Sequence, residues 1–305
     1  MNTLISIVGP TGIGKTKLSI YLAKKFKTEI ISCDSRQFYK ELNIGTSKPS
    51  NKQLKQIKHH FIGHLNIKKN YNISLFEKDV IKQLNKLFKK YKVIIMVGGS
   101  GLYEKTIIEG INLIPNIKKK KKLKIRKILN KKKLEYLLNK LKKKDINYYN
   151  LLKNKKDKRK IIKALEFKYC TKKKLSSFYY KKKPKRPFKK YIRIGLKINR
   201  KKIYNNINKK VDLMIKKGLI NEAKKYYKYK NLNALNTIGY KEIFKYLKNK
   251  DNIKNCIEEI KQKTRNFAKK QIIWFKKYKN IKWFKPNNYK KIYIYLINKL
   301  NKYLQ

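Results

Sequence analysis

Acidic residues are few in this chain. It carries 17 Asp and Glu against 85 Lys and Arg, a formal charge of +68 over 305 residues. Such a field attracts polyanions and speeds their association. Glycine and proline are also scarce, at 12 and 6, while Lys, Ile, Asn and Tyr are overused from end to end. These four residues share A/T-rich codons, so nucleotide bias accounts for most of the excess, and charge alone says little about nucleic acid. The three cysteines, Cys33, Cys170 and Cys256, lie far apart without metal-ligand spacing. That excludes a disulfide framework and points to free thiols in a reducing compartment. No apolar run is long enough to span a membrane. Leu4–Val8 is too short for a secretory leader, so a cytoplasmic protein is expected.

Enough apolar residues remain, 41% of the chain, for a substantial core in one or two domains. Leu4–Val8, Glu29–Ser32 and Val93–Val97 read as buried parallel strands: β-branched, short, each ending in a small or polar residue. Leu18, Tyr21, Leu22 and Phe26 recur at helical spacing between the first two, which makes a βαβ unit with a right-handed crossover. Residues 76–90 predict a second helix, Tyr191–Ile198 a fourth strand. A final helix over 253–275 is expected to bury Ile253, Ile257, Ile260, Phe267 and Trp274. Between Pro115 and Pro187 the character changes. Lysine runs interrupt apolar residues at helical spacing (Ile125, Ile128, Leu129; Leu134, Leu137, Leu138, Leu141), which reads as a helical insertion with basic outer faces.

Chemistry enters at Gly9-Pro10-Thr11-Gly12-Ile13-Gly14-Lys15-Thr16, which matches the phosphate-cradling pattern G-x-x-x-x-G-K-[ST] with a strand before it and a helix after. The glycines let the backbone curl so that its N–H groups face phosphate oxygens, and the helix N-terminus adds a favourable dipole. Lys15 supplies a point charge, and the Thr16 hydroxyl is placed to meet Mg²⁺. A nucleotide hydrolase would carry an acid after its second apolar strand. Val93–Val97 runs instead into Gly98-Gly99-Ser100-Gly101-Leu102-Tyr103. The carboxylate follows another strand, in Asp34-Ser35-Arg36-Gln37-Phe38-Tyr39. Carboxyl ends of neighbouring parallel strands face one crevice, so Asp34, Ser100 and the glycine loop should converge. Asp34 reads as a base for an acceptor's proton, or else as a helix cap or an outer ligand of a metal.

Taken together, GPTGIGKT, DSRQFY followed by NIGTSKP (Asn43–Pro49), and VGGSGLY resemble the motifs of tRNA dimethylallyltransferases. The likeness continues in order through His59-His60-Phe61-Ile62, Lys163-Ala164-Leu165-Glu166, Ile238-Gly239-Tyr240-Lys241-Glu242 and Thr264-Arg265 with Ala268-Lys269-Lys270-Gln271 and Trp274. The resemblance implies a P-loop α/β fold with a helical insertion. It implies prenyl transfer from dimethylallyl diphosphate to N6 of the adenosine beside the anticodon, at position 37 of tRNA. Pyrophosphate is then the leaving group and Mg²⁺ the cofactor.

The same resemblance assigns residues. Gly9 to Thr16, with Lys210, would hold the diphosphate, and Thr16 the metal. Asp34 would be the general base, assisted by Ser100 and Lys15. Asp34, Ser35, Arg36, Gln37 and Ser100 would meet the RNA, with Gln37 reading a neighbouring base edge. Lys122, Arg159, Lys160, Lys163 and Arg265 would contact RNA phosphates. Several positions depart from the family pattern, chiefly Arg to Lys, as at Lys163 and Lys210, which exchanges bidentate forks for point charges. Residues 1–115 and 188–305 are thus expected to form the catalytic core, 116–187 the tRNA-gripping insertion, in a monomer. The rival readings are a P-loop kinase for a small molecule or nucleoside, and an RNA-binding protein that has lost catalysis. His59, His60 and His64 could suggest a metal, but their spacing is poor and a structural role is expected.

Overall fold

The computed structural model describes residues 1–111, 115, 117, 119–179, 184–249 and 252–301. The chain divides into two compact units, one of Met1–Ile108 with Arg186–Gln305, the other of Glu109–Lys185. The elements run, in order, β1 (Thr3–Val8), α1 (Lys15–Lys25), β2 (Ile30–Ser32), α2 (Asn51–Gln56), β3 (His59–His60), α3 (Ile73–Leu87), β4 (Val93–Val97) and α4 (Gly101–Glu109). There follow α5 (Lys119–Asn130), α6 (Leu134–Lys144), α7 (Ile146–Leu151) and α8 (Lys158–Thr171). The chain then returns through β5 (Lys190–Leu196), α9 (Arg200–Lys216), α10 (Leu219–Lys225), α11 (Tyr240–Asn249), α12 (Ile253–Lys276), β6 (Ile281–Phe284) and α13 (Tyr289–Asn301).

The first unit is built on a parallel sheet in the order β3-β2-β4-β1-β5-β6. A parallel sheet covered on both faces wants unbroken apolar strands, and β1 is buried along its whole length. Ile5 sits in register with Ile95 on one side and Ile192 on the other. Helix α1 buries Leu18, Ile20, Leu22 and Ala23. Its Tyr21 and Phe26 lie against Tyr289 and Tyr293 of α13, ring centroids 5.2 and 5.4 Å apart. Helix α3 is started by Asn72, whose side chain accepts the N–H groups of Ser74 and Leu75, and it buries Phe76, Val80, Leu84 and Leu87.

Two strands escape the sequence pattern. β3 has two residues and β6 four, too few for periodicity to register. The face of α12 also differs from expectation. It buries Cys256, Ile260, Ala268, Gln271 and Phe275, while Phe267 stays 42% exposed and Trp274 half-buried. The helix presents a small residue and an amide because it packs against backbone as well as side chains.

The second unit has its own core, including Leu129, Leu137, Leu141, Tyr148, Ile161, Leu165 and Phe167. Buried Asp145 ties it together, accepting the Tyr148 N–H at 3.1 Å and the Ser176 N–H at 3.0 Å. Among the described residues no helix is long and apolar enough to cross a membrane.

Candidate active site

The glycine-rich loop leaves the end of β1 and turns into α1. Its Gly12 and Gly14 take φ of 77° and 95°, a region that a side chain disfavours. Asp34 follows β2 and Ser100 follows β4, so all three segments gather at one edge of the sheet. There the first unit holds a cavity of about 820 Å³. Thr11 to Thr16, Asp34, Gln37, Lys210 and Gln271 all contribute to its wall.

This cavity is rich in positive charge, with Lys15, Lys48 and Lys210 among its lining residues. The Lys15 ammonium folds back on the Gly9 and Pro10 carbonyls at 2.9 and 2.8 Å. Burial pulls its pKa down to about 8; the Asp34 carboxylate pulls the other way and Lys210 adds repulsion. Lys210 is lowered by burial too, against the attraction of Asp34. Its ammonium lies 3.5 Å from the Thr11 hydroxyl, and Asn206 donates to the Gly12 carbonyl at 3.1 Å. Two desolvated lysines facing one volume lose their penalty when an anion enters.

Asp34 does two things. Its Oδ1 accepts the Arg36 N–H at 3.1 Å, which caps the turn after β2, and its carboxylate lines the cavity. Ser100 meets Ser35 instead of Asp34: its Oγ accepts the Ser35 N–H and lies 3.3 Å from the Ser35 hydroxyl. Gln37 uses its amide internally, donating to the carbonyl oxygens of Ser47 at 3.0 Å and Thr46 at 3.4 Å. It therefore shapes the cavity wall at 45–49. Lys48, in the same stretch, donates to the Tyr39 and Lys40 carbonyls and to Asn43 Oδ1, and burial lowers its pKa to about 8.

Segments far apart in sequence are locked together here through glycines. A Cβ at Gly99 would stand 2.3 Å from the Gln271 amide nitrogen, and one at Gly101 2.2 Å from the Trp274 indole. Gln271 uses that closeness: it accepts the Thr11 N–H at 2.9 Å and donates to the Gly99 carbonyl at 2.9 Å. One amide on α12 thus joins the glycine loop to the turn that carries Ser100.

A sequence model of the IPP transferase family matches residues 37–278. The chain belongs to the IPP transferase family. It is 48% identical over 275 residues to the tRNA dimethylallyltransferase of Christiangramia forsetii, covering 90% of each chain. It is 44% identical over 281 residues to that of Flavobacterium psychrophilum, covering 90% of this chain and 91% of the other. Among solved structures it resembles the tRNA isopentenylpyrophosphate transferase of Bacillus halodurans, with a TM-score of 0.74 and 29% identity over 99% of this chain and 98% of that one. A eukaryotic dimethylallyltransferase captured acting on tRNA gives 0.79 at 27% identity, over 94% of this chain and 75% of the other.

Within this IPP transferase the remaining expected site residues fall in two places. Arg265, on α12, donates to Asn208 Oδ1 of α9 at 2.8 Å. Lys122, Arg159, Lys160 and Lys163 lie in the second unit. Lys122 is 3.6 Å from buried Glu166, whose carboxylate is held mainly by Arg126, at 2.7 Å. Lys160 pairs loosely with Asp157, and Arg159 is exposed. Desolvation of the Lys163 ammonium, with repulsion from Lys122 and Arg159, holds its pKa below the usual lysine value. The histidines have protein partners: His60 bonds Glu29, His59 Nδ1 meets the Ile57 carbonyl, and His64 packs edge-on to Phe38 and Phe61, while His59 also borders the cavity.

Among the described residues no three His, Cys, Asp or Glu side chains gather as a metal cage. Oxygen donors on the cavity wall include the Thr16 hydroxyl and the carboxylates of Asp34 and Glu242, the last already bonded to the Gly239 N–H and the Lys263 ammonium. That set suits a hard cation carried in largely on phosphate oxygens. Sequence reasoning missed Glu222, Asn206 and the loop-holding role of Lys48. Their partners lie far along the chain or in backbone groups, and neither leaves a local pattern.

Proposed function

We propose that this chain is a tRNA dimethylallyltransferase, moving the dimethylallyl group of dimethylallyl diphosphate to N6 of the adenosine beside the anticodon. The observation that carries the reading is the cavity in which the glycine loop, Lys15 and Lys210 face Asp34, with no acid after Val97. The diphosphate would lie against the loop N–H groups, and Lys15 would exchange the Gly9 and Pro10 carbonyls for it. The adenine amine attacks C1 of the prenyl group, the C1–O bond breaks, and pyrophosphate departs. Asp34 takes the proton that the amine loses. Lys15, Lys210 and the loop amides stand where charge grows on the leaving oxygen, and one such donor is typically worth about 100-fold in rate or more. Thr16 would hold Mg²⁺, which when bound neutralises part of the diphosphate charge.

An anticodon-loop adenine must leave its stack to enter such a cavity. The basic faces of the Glu109–Lys185 unit, Lys122, Arg159, Lys160 and Lys163 among them, would grip the stem by its phosphates, which position without specifying. The enzyme would act as a cytoplasmic monomer. The names of its relatives support this reading over a kinase. Mass spectrometry of nucleosides tests it: unmodified tRNA incubated with protein, Mg²⁺ and dimethylallyl diphosphate should gain one prenyl group on adenosine, and Asp34→Ala should not support the gain. ATP turnover without prenylation would promote the kinase, and tight tRNA binding with neither reaction the inactive RNA binder.

A further inference from the structure

Glu222 lies on α10, far in sequence from the glycine loop, Asp34 and Asn43–Pro49, yet its carboxylate gathers a dense set of hydrogen bonds. It accepts three consecutive backbone N–H groups: Asn43 at 2.9 Å, Ile44 at 3.0 and 3.1 Å, and Gly45 at 2.9 Å. Successive amides turned to one point make a concavity for an anion, and here the anion is a side chain of the protein itself. The Tyr240 hydroxyl donates to the same carboxylate. Tyr240 is fully buried, and its ring closes on Gly45, where a Cβ would stand 2.5 Å away. Burial first, and the Glu222 charge second, raise the Tyr240 pKa far above the ordinary phenol value, so it remains a donor.

What this carboxylate holds is a wall of the reaction cavity. Gly45 is the last of the amides it binds, Thr46, Ser47, Lys48 and Pro49 follow directly, and all five line the cavity. The stretch is held from its other side by Gln37, which donates to the Thr46 and Ser47 carbonyls and lies three residues beyond Asp34. The diphosphate end, at Lys15 and Lys210, has separate supports in the Gly9 and Pro10 carbonyls and in Asn206 and Gln271. The geometry points to Glu222 as a positioning residue for the acceptor: it fixes the 43–49 wall that closes on the adenosine side of the cavity. This rests on the prenyl-transfer reading for the identity of the acceptor, and on the hydrogen bonds alone for the ordering of the wall.

The arrangement has a simple energetic logic. A loop with a non-glycine residue at positive φ, Ser47 at 52°, does not hold that shape unaided. Charge-assisted hydrogen bonds are the strong kind, and three from one carboxylate supply the restraint. An amide in its place turns N–H toward N–H on one side and loses the charge.

The test compares Glu222→Gln and Tyr240→Phe with the parent, by amide hydrogen exchange at Asn43, Ile44 and Gly45 and by steady-state kinetics with each substrate varied in turn. Glu222→Gln should speed exchange at those three amides. It should lower kcat/KM for tRNA roughly tenfold or more, as the loss of charged hydrogen bonds implies. KM for dimethylallyl diphosphate should stay within about twofold, because interactions at that end are untouched. Tyr240→Phe should show the same pattern more weakly. Equal losses for both substrates, or unchanged exchange at 43–45, would overturn the proposal. If the parent itself fails to prenylate tRNA, that failure belongs to the reading of the reaction. Exchange at 43–45 and the tRNA affinity of the variants, expected to fall, then decide the role of Glu222.

Discussion

Replacing Gln271 by Ala isolates the contact that joins the glycine loop to the turn after β4. The side chain is 6% exposed, and it bonds the Thr11 N–H and the Gly99 carbonyl, each at 2.9 Å. Truncation leaves two backbone groups without partners. Thr11 borders the open cavity, so water can reach its N–H, and that loss should cost about 1 kcal/mol. The Gly99 bond is buried, and an orphaned carbonyl there should cost nearer 2 kcal/mol. The sum, about 3 kcal/mol, corresponds to a fall in Tm of roughly 6–12 °C for a domain of this size. Turnover should suffer separately, because the amide is the tie between the glycine loop and the Ser100 turn. Displacing catalytic groups by about 1 Å can cost on the order of 100-fold. Calorimetry and prenyl-transfer kinetics on Gln271→Ala read the two effects. Gln271→Glu adds a control: it keeps the acceptor for Thr11 but sets a carboxylate oxygen against the Gly99 carbonyl, so it should rescue neither. A Tm within about 1 °C of the parent and turnover within about twofold would refute the reasoning.

Three further outcomes follow from the same geometry. Asp34→Asn should lower kcat by about 100-fold or more, the usual contribution of a general base, while diphosphate binding survives; unchanged turnover would remove Asp34 from the mechanism. The free Lys15 ammonium has a pKa of about 8, and a bound diphosphate raises it. Above pH 8 the complex then carries more protons than the free protein, so diphosphate affinity should fall as pH rises, by up to about tenfold per unit for this lysine. Titration calorimetry at pH 8.5 in buffers of different ionisation enthalpy should show proton uptake, and no uptake would contradict it. Arg193 on β5 and Glu104 on α4 form a buried ion pair at 2.8 Å, with the guanidinium 4.1 Å from the Tyr278 ring centroid. Arg193→Met should cost about 3–5 kcal/mol in denaturant unfolding, and adding Glu104→Leu should recover much of it, because the isolated buried charge is then gone.

Much of the site was legible because it is local. Gly9 to Thr16 lies in one loop with its strand and helix beside it, and Asp34 and Ser100 each follow an apolar strand. Apolar runs mark buried parallel strands, and the sheet brings their ends to one edge. What was not legible was long-range. Nothing at Ile281–Phe284 distinguishes a four-residue edge strand from a loop. Of the expected α12 stripe, Ile260 is buried and Ile253, Ile257 and Trp274 pack against core residues, while Phe267 is exposed; the burial of Gln271 was not legible, because its partners are backbone groups at Thr11 and Gly99 that hydropathy does not weigh. The bonds of the Gln37 amide to the Thr46 and Ser47 carbonyls likewise left no mark in the sequence.

The sequence by itself determined the parallel α/β core, the glycine-rich loop between β1 and α1 and the carboxylate after β2, since each depends on neighbours within a few residues and on the alternation of apolar strands with helices. Only the tertiary structure decided how the cavity is held. Glu222 meets Gly45, and Gln271 meets Thr11, across separations of 177 and 260 residues. Those bonds run from side chains to backbone groups, and a backbone amide looks the same in every sequence until the fold places it.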